Sequence, residues 1–407
     1  MELSNRNSLL DRLEHSTMFH LSLGSKELFH SNFLYWLGTN YRDQFQELIT
    51  RLLNITSQWP EGWILHREYL HLDLCVTYKR EKKKKNGRGK KGVEECVFIV
   101  IENKVKSLPD IIQLKRYEQL FNGRRKGCTY AVLSLVNGFY GNDIINNKSD
   151  WQLHYYNELG KLIEDIFKGS DVKPEHMTYI KDYCQYVHDL SKLATSWVVY
   201  GDESFLQDTK RLKEVRLNDI YEKIRYAQVA AQLAKELEET FVQNVKGEPK
   251  VVLGMSNADV ILNRDRKDAD KILGLYGCPN ADTYSQVFIS NGMFHSIGFM
   301  EAKVKVADDC CLVLQVQGNR YCHGIERLNI VDNGTALSKW SQDFIDFKVG
   351  GLNNHVHEAD SKLCHYTNGF LYRSQKIDSN VTISNIVDAL KNDIKIILKT
   401  KPKNNRF

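Results

Sequence analysis

"VFIVIENKVKSLPDIIQLKRY", residues 97–117, is the stretch on which the reading of this chain turns. It opens with a continuous apolar run, Val97 to Ile101, of the kind found in a strand covered on both faces. Charge then arrives at Glu102 and Lys104. Alternate side chains of a strand share a face, so Glu102 and Lys104 point together and Asn103 points away. Alone, the pair is either a surface ion pair of little energetic worth or the beginning of a reactive site. Its neighbours favour the second.

Upstream, Asp73 lies inside LHLDLCV between Leu72 and Leu74, on a strand that forms the hairpin partner of the Glu102 strand. A carboxylate among apolar strand residues is costly unless it is paired or binds a cation. Asp73 and Glu102 on adjacent strands offer the oxygen ligands that Mg²⁺ prefers, with water and a substrate phosphate completing the octahedron. Lys104 then orients a water and offsets charge developing on phosphorus. Downstream, Ser107 and Pro109 read as the start of a helix running through IIQLKRYEQLF. Gln113 and Tyr117 sit one turn apart on it, either as a plain polar face or as a pair holding the strand end and a nucleic-acid phosphate.

The hairpin connection is strongly basic. In KREKKKKNGRGKKG, residues 79–92, nine of fourteen residues are Lys or Arg. A solubilising tip has this composition, but beside strand ends that carry the carboxylates the charge suits phosphate attraction. Lys82, Lys83, Lys84, Lys85, Arg88, Lys90 and Lys91 are therefore expected to bind nucleic acid, together with Tyr117.

Asp73, then Glu102-Asn103-Lys104, then Gln113 and Tyr117 in QxxxY spacing, resembles the PD-(D/E)XK nuclease superfamily, closest to its RecB-like branch. KELFHSNFLYWL, residues 26–37, resembles the first helix of a bacterial subgroup, in which an acidic residue leads into His-Ser. That likeness implies Glu27 as a further carboxylate of the metal site, with His30 near it. It covers roughly residues 20–195. Asp73 is preceded by Leu72 where the motif has a proline that many members lack, and the lysine-rich insertion is long. The resemblance implies a restriction-endonuclease-like core that hydrolyses DNA with Mg²⁺ or Mn²⁺, water attacking in line to leave a 5′-phosphate, in antiviral defence or repair. An RNA-directed nuclease would use the same residues. A DNA-binding or assembly protein that keeps the fold without cutting is the reading from another class.

At 407 residues the chain is too long for one ordinary core. The element order (helix, strands, central strand, helix, strand, helix) gives an α/β domain over residues 1–200, a mixed central sheet flanked by helices. Helical spacing across 26–53 is interrupted near Gly38. Residues 201–245 read as a helical connector. Residues 246–407 read as an α+β domain for recognition, sensing or homo-oligomerisation, with short strands including Val260 to Leu262 and turns at GLYGCPN and GNRYCHG.

A composition of 42% hydrophobic and 26% charged residues, with no long apolar run, gives a soluble protein without a membrane span. The first residues lack a signal-peptide pattern, and nine scattered cysteines suit the reducing cytoplasm. The net charge of +5 does not by itself demand a nucleic-acid partner. Three other features are weaker. Glu68, five residues before Asp73, reads as structural or as a partner of phosphate-side charge. His30 lies beside Phe29 and Phe33, the setting of a satisfied packing histidine more than a general base. His355, His357, Cys364 and His365 match no standard zinc module.

Overall fold

The computed structural model describes residues 3–23, 26–81, 93–105, 111–120, 128–135, 150–197, 202–241, 249–254, 261–262, 269–275, 286–294, 297–307, 309–328, 338–352, 362–366 and 369–400. The chain divides into two compact units, Met1–Ser196 and Trp197–Phe407.

The first unit begins with helices α1 (Leu3–His15), α2 (Thr17–Ser22), α3 (Glu27–Asn40) and α4 (Arg42–Leu52). Strands β1 (Ile64–Tyr69), β2 (Leu72–Glu81) and β3 (Val93–Lys104) follow, then α5 (Ile111–Leu120), β4 (Thr129–Ser134) and β5 (Trp151–Tyr155), and finally α6 (Tyr156–Phe167) and α7 (Pro174–Ser196). The sheet order is β1-β2-β3-β4-β5. β1, β2 and β3 are antiparallel, whereas β3, β4 and β5 are parallel, so the sheet is mixed, with β3 at its centre. Val97, Ile99, Val100 and Ile101 are nearly inaccessible, as a doubly covered strand requires. Val97 and Val100 pack with Leu114 and Tyr117 of α5 and with Tyr130, Val132 and Trp151.

The interruption expected near Gly38 is present three residues on, and Gly38 itself does not make it. It lies within α3, and the break falls at Tyr41, which closes α3 by donating to the Leu37 carbonyl at 2.8 Å and opens α4 by accepting from Phe45 at 2.9 Å. A Cβ on Gly38 would strike Leu65 of β1 and come within 3.1 Å of the Phe45 ring. The glycine thus serves close approach of α3 to the sheet edge.

The second unit holds α8 (Lys210–Glu214), α9 (Asn218–Thr240), β6 (Val251–Leu253), α10 (Ala269–Leu275), β7 (Val287–Phe294), β8 (Ile297–Ala307), β9 (Cys310–Gln317), β10 (Arg320–Arg327), α11 (Lys339–Ile345), β11 (Cys364–Tyr366), β12 (Phe370–Lys376) and α12 (Ile383–Thr400). Its seven strands run β11-β12-β10-β9-β8-β7-β6. The segment read as a connector supplies part of this unit's core. Val229 and Leu233 of α9 pack with Met300, Ala302, Leu312 and Leu314 of the sheet and with Ile386 and Leu390 of α12. Two local expectations are corrected. Ile261 and Leu262 are helical, and GNRYCHG is a turn only at its start, since Arg320 onward is β10. Both are short apolar or mixed runs whose conformation is set by tertiary contacts.

Asp393 of α12 ties this unit together. It accepts from the Tyr321 hydroxyl at 2.8 Å and from the Gly351 amide at 2.9 Å, and it lies 2.8 Å from His323 Nε2. The His323 ring stacks between Phe344 and Phe347. All these polar groups are out of water, so removing the carboxylate strands several at once. Asp393→Ala is expected to cost about 3–5 kcal/mol. Chemical denaturation should show this as a lower midpoint for loss of the second unit's structure, with little change in the first.

Candidate active site

The β2–β3 hairpin sets the frame of the site. Leu74 pairs with Ile101, so the ladder ends where Asp73 meets the Glu102–Asn103 peptide. There the Asn103 amide donates to Asp73 Oδ2 at 2.6 Å. Lys104 Nζ donates to Glu102 Oε1 at 2.9 Å, and both side chains are about 95% buried. The same Oε1 accepts from Gln113 Nε2 at 3.2 Å. Gln113 also donates to the Tyr117 hydroxyl at 2.8 Å, and that hydroxyl donates to the His71 carbonyl at 3.3 Å. The helical i,i+4 pair therefore returns to the strand end from α5 and fixes one oxygen of Glu102.

The other oxygen, Glu102 Oε2, is buried and accepts no hydrogen bond. An ionised carboxylate oxygen in that condition is costly unless a cation meets it. Electrostatics point the same way. Burial, then the charge of Glu102, pushes the Asp73 carboxyl up to about 7, against the pull of the Asn103 amide and Lys104; Glu27 adds to the rise. Burial likewise raises Glu102, opposed first by the charge of Lys104. Burial favours the neutral Lys104 amine, but the charge and hydrogen bond of Glu102 outweigh it and hold the ammonium above its ordinary range. Carboxylates shifted upward by desolvation first and by neighbouring negative charge second gain when a divalent ion enters.

Asp73 and Glu102 fit such an ion as two oxygen ligands, the number Mg²⁺ commonly takes from protein when water and phosphate supply the rest. Among the described residues, no three His, Cys, Asp or Glu side chains gather closely enough to hold a metal by themselves. Glu27, in the first turn of α3, is close enough for its charge to act on Asp73, Glu102 and Lys104.

Tyr117 is 9% exposed, with its ring in the core and its hydroxyl committed. That placement suits holding Gln113 and leaves little of the ring for a nucleic-acid phosphate. Lys82, Lys83, Lys84, Lys85, Arg88, Lys90 and Lys91 lie outside the described residues, as do Ser107 and Pro109, His355 and His357, and most of GLYGCPN. Glu68 has a φ of 53° and lies 3.7 Å from Arg67.

With strand, helix and carboxylate placed, the comparisons with known proteins can be set beside the geometry. Residues 17–185 match the family model of the PD-(D/E)XK nuclease superfamily. The match falls wholly within the first unit, which is similar to a PD-(D/E)XK domain. Neither the curated proteins nor the solved structures return a match to the chain. The matched span runs from α2 into α7 and contains every element that meets at Glu102, so the mixed sheet with flanking helices is the restriction-endonuclease-like fold of this superfamily. No helix among the described residues is long and apolar enough to cross a membrane.

Sequence reasoning missed the back of the candidate site. Asn103, the middle residue of the Glu-x-Lys triplet, donates through Nδ2 to Ser31 Oγ of α3 at 2.7 Å and accepts from the Tyr156 hydroxyl of α6 at 2.8 Å. Alternation predicted that it points away from Glu102; only the fold says what it meets.

His30 is fully enclosed, with Nδ1 2.8 Å from the Tyr183 hydroxyl and Nε2 3.4 Å from that of Tyr186. Burial pushes its pKa down to about 3, so the ring is neutral and serves packing. In the unfolded chain it titrates near 6.5, so its contribution to stability is complete above that pH. That contribution is lost as pH falls toward about 3, at about 1.4 kcal/mol per pH unit. Urea denaturation between pH 7 and 4 should therefore give a shallower fall in stability for His30→Gln than for the native chain. Equal slopes would remove His30 as the cause.

Proposed function

We propose that this chain is a metal-dependent nuclease that hydrolyses phosphodiester bonds of DNA, with Asp73 and Glu102 holding Mg²⁺ or Mn²⁺. The observation that carries the reading is Glu102 itself: one oxygen is fixed by Lys104 and Gln113, and the other is buried with no donor, beside a second carboxylate. An ion bound there supplies a Lewis acid for the phosphate and a water acidic enough to attack near neutral pH.

The remaining roles belong to the chain's own side chains. Lys104, held as an ammonium, offsets negative charge growing on the phosphate oxygens and orients the attacking water. Gln113 fixes the Glu102 carboxylate, and Tyr117 fixes Gln113. This support from α5 favours kinship with the QxxxY members of the RecB-like branch. Glu27 adds negative charge that favours a cation over a vacant carboxylate pair. The basic segment 82–91 fits a phosphate-bearing polymer.

Purified protein is expected to cut plasmid or single-stranded DNA with Mg²⁺ or Mn²⁺ and to stop on chelation, and an RNA panel run in parallel separates the two nucleic acids. Lys104→Ala should lower the cleavage rate by about 10²–10³-fold. Gln113→Ala, which frees Glu102 without removing charge, should lower it by about 10–100-fold. Thermal melts of both variants check that the fold persists. If Lys104→Ala cleaves as fast as the native chain, the assignment is wrong.

A further inference from the structure

Behind the carboxylates, β3 is bolted to two helices through one side chain. Asn103 is 1% exposed and Ser31 is wholly buried. The carboxamide spends its donor on Ser31 Oγ at 2.7 Å and its acceptor on the Tyr156 hydroxyl at 2.8 Å. Ser31 in turn donates to the Glu27 carbonyl at 3.3 Å, one helical turn earlier. The backbone amide of Asn103 meanwhile holds Asp73 at 2.6 Å, and its chain neighbours are Glu102 and Lys104. One residue thus connects the peptide between the two strand carboxylates to the turn of α3 that bears Glu27.

Helix α3 needs such an anchor. Its N-cap residue, Lys26, has a φ of 42° and no side-chain capping hydrogen bond, so the Ser31 link adds to what holds the first turn. Glu27 acts by its charge on Asp73, Glu102 and Lys104 together, so the position of the turn that carries it bears on all three. A buried carboxamide with both ends satisfied is a stiff link, because breaking either bond strands a polar group out of water.

We infer that Asn103 is a positioning residue for metal binding: through Ser31 it holds the first turn of α3, and with it the Glu27 carboxylate, against the Asp73–Glu102 pair. The bond to Tyr156 supports the fold from the opposite side and does not set Glu27. This rests on the metal reading proposed above, and it adds a role to the residue between Glu102 and Lys104 that the strand pattern assigns only to the other face.

Manganese titration of the nucleic-acid-free protein by calorimetry tests it without reference to cleavage. Ser31→Ala and Glu27→Gln are each expected to weaken Mn²⁺ binding by about tenfold, within the range for groups that support metal ligands. Their double variant should be scarcely weaker than either alone, since both act through the same carboxylate. Tyr156→Phe, which removes one bond of the same Asn103 side chain, should lower the melting temperature and leave Mn²⁺ affinity within twofold. Unchanged affinity in Ser31→Ala, additive losses in the double variant, or an equal loss in Tyr156→Phe would overturn the inference while the native chain still binds Mn²⁺. A native chain that binds no Mn²⁺ would overturn the metal reading and this inference together.

Discussion

Keeping Glu102 out of water is the constraint on which the first unit's architecture depends. A buried carboxylate is costly by several kcal/mol unless charge and hydrogen bonds replace its hydration. Here the replacement is partial. Lys104 Nζ and Gln113 Nε2 converge on Oε1, and Oε2 has no protein donor. The doubly covered strand that precedes it makes the burial unavoidable, since Ile99 to Ile101 need both sheet faces closed and the chain reaches Glu102 before it can leave them. The residues around it serve to keep that carboxylate charged, oriented and incompletely satisfied.

Three elements meet that demand from three directions. β2 delivers Asp73 and receives the Asn103 amide, so the two strand carboxylates are joined through a backbone hydrogen bond and cannot drift independently. α5 delivers Gln113, whose own amide is braced by Tyr117, and Tyr117 is braced by the His71 carbonyl. α3 approaches from behind, where Gly38 permits contact with Leu65 and Asn103 grips Ser31. Aromatic packing then fixes α3 against α7, with Phe33 stacked on Tyr183 at 3.6 Å and His30 held between tyrosine hydroxyls. Rigid packing and the polar site are thus the two sides of one helix.

The parts of this arrangement that sequence made legible are those governed by short-range periodicity. Strand alternation put Glu102 with Lys104, helical spacing put Gln113 with Tyr117, and the apolar run marked β3 as central. What sequence left dark depends on contacts between distant segments. Nothing local says that Asn103 will find Ser31, seventy-two positions earlier, or that Tyr156 will reach the same carboxamide. Gly38 read as an interruption because glycine is a poor helix former, whereas its use is steric. β5 and β10 escaped notice because Trp151–Tyr155 and Arg320–Arg327 mix polar and apolar residues and become strands through their neighbours' ladders.

The second unit shows why the triplet's letters alone were weak. Glu301-Ala302-Lys303 repeats the Glu-x-Lys spacing inside β8, with Glu301 and Lys303 almost as buried as Glu102 and Lys104. There Lys303 lies 3.2 Å from Glu301 and 2.9 Å from Glu326, and Ser290 donates to Glu301 at 3.1 Å. The ammonium of Lys303 meets both carboxylates, so each is paired within the protein. At Glu102 the arrangement differs. The second carboxylate, Asp73, meets the Glu102–Asn103 peptide instead of the ammonium, and burial, then the charge of Glu102, drives its pKa upward. The same two residue types in the same strand spacing therefore yield an ion cluster in one unit and, on the reading proposed above, a cation site in the other. The difference lies in which group the third charged residue faces.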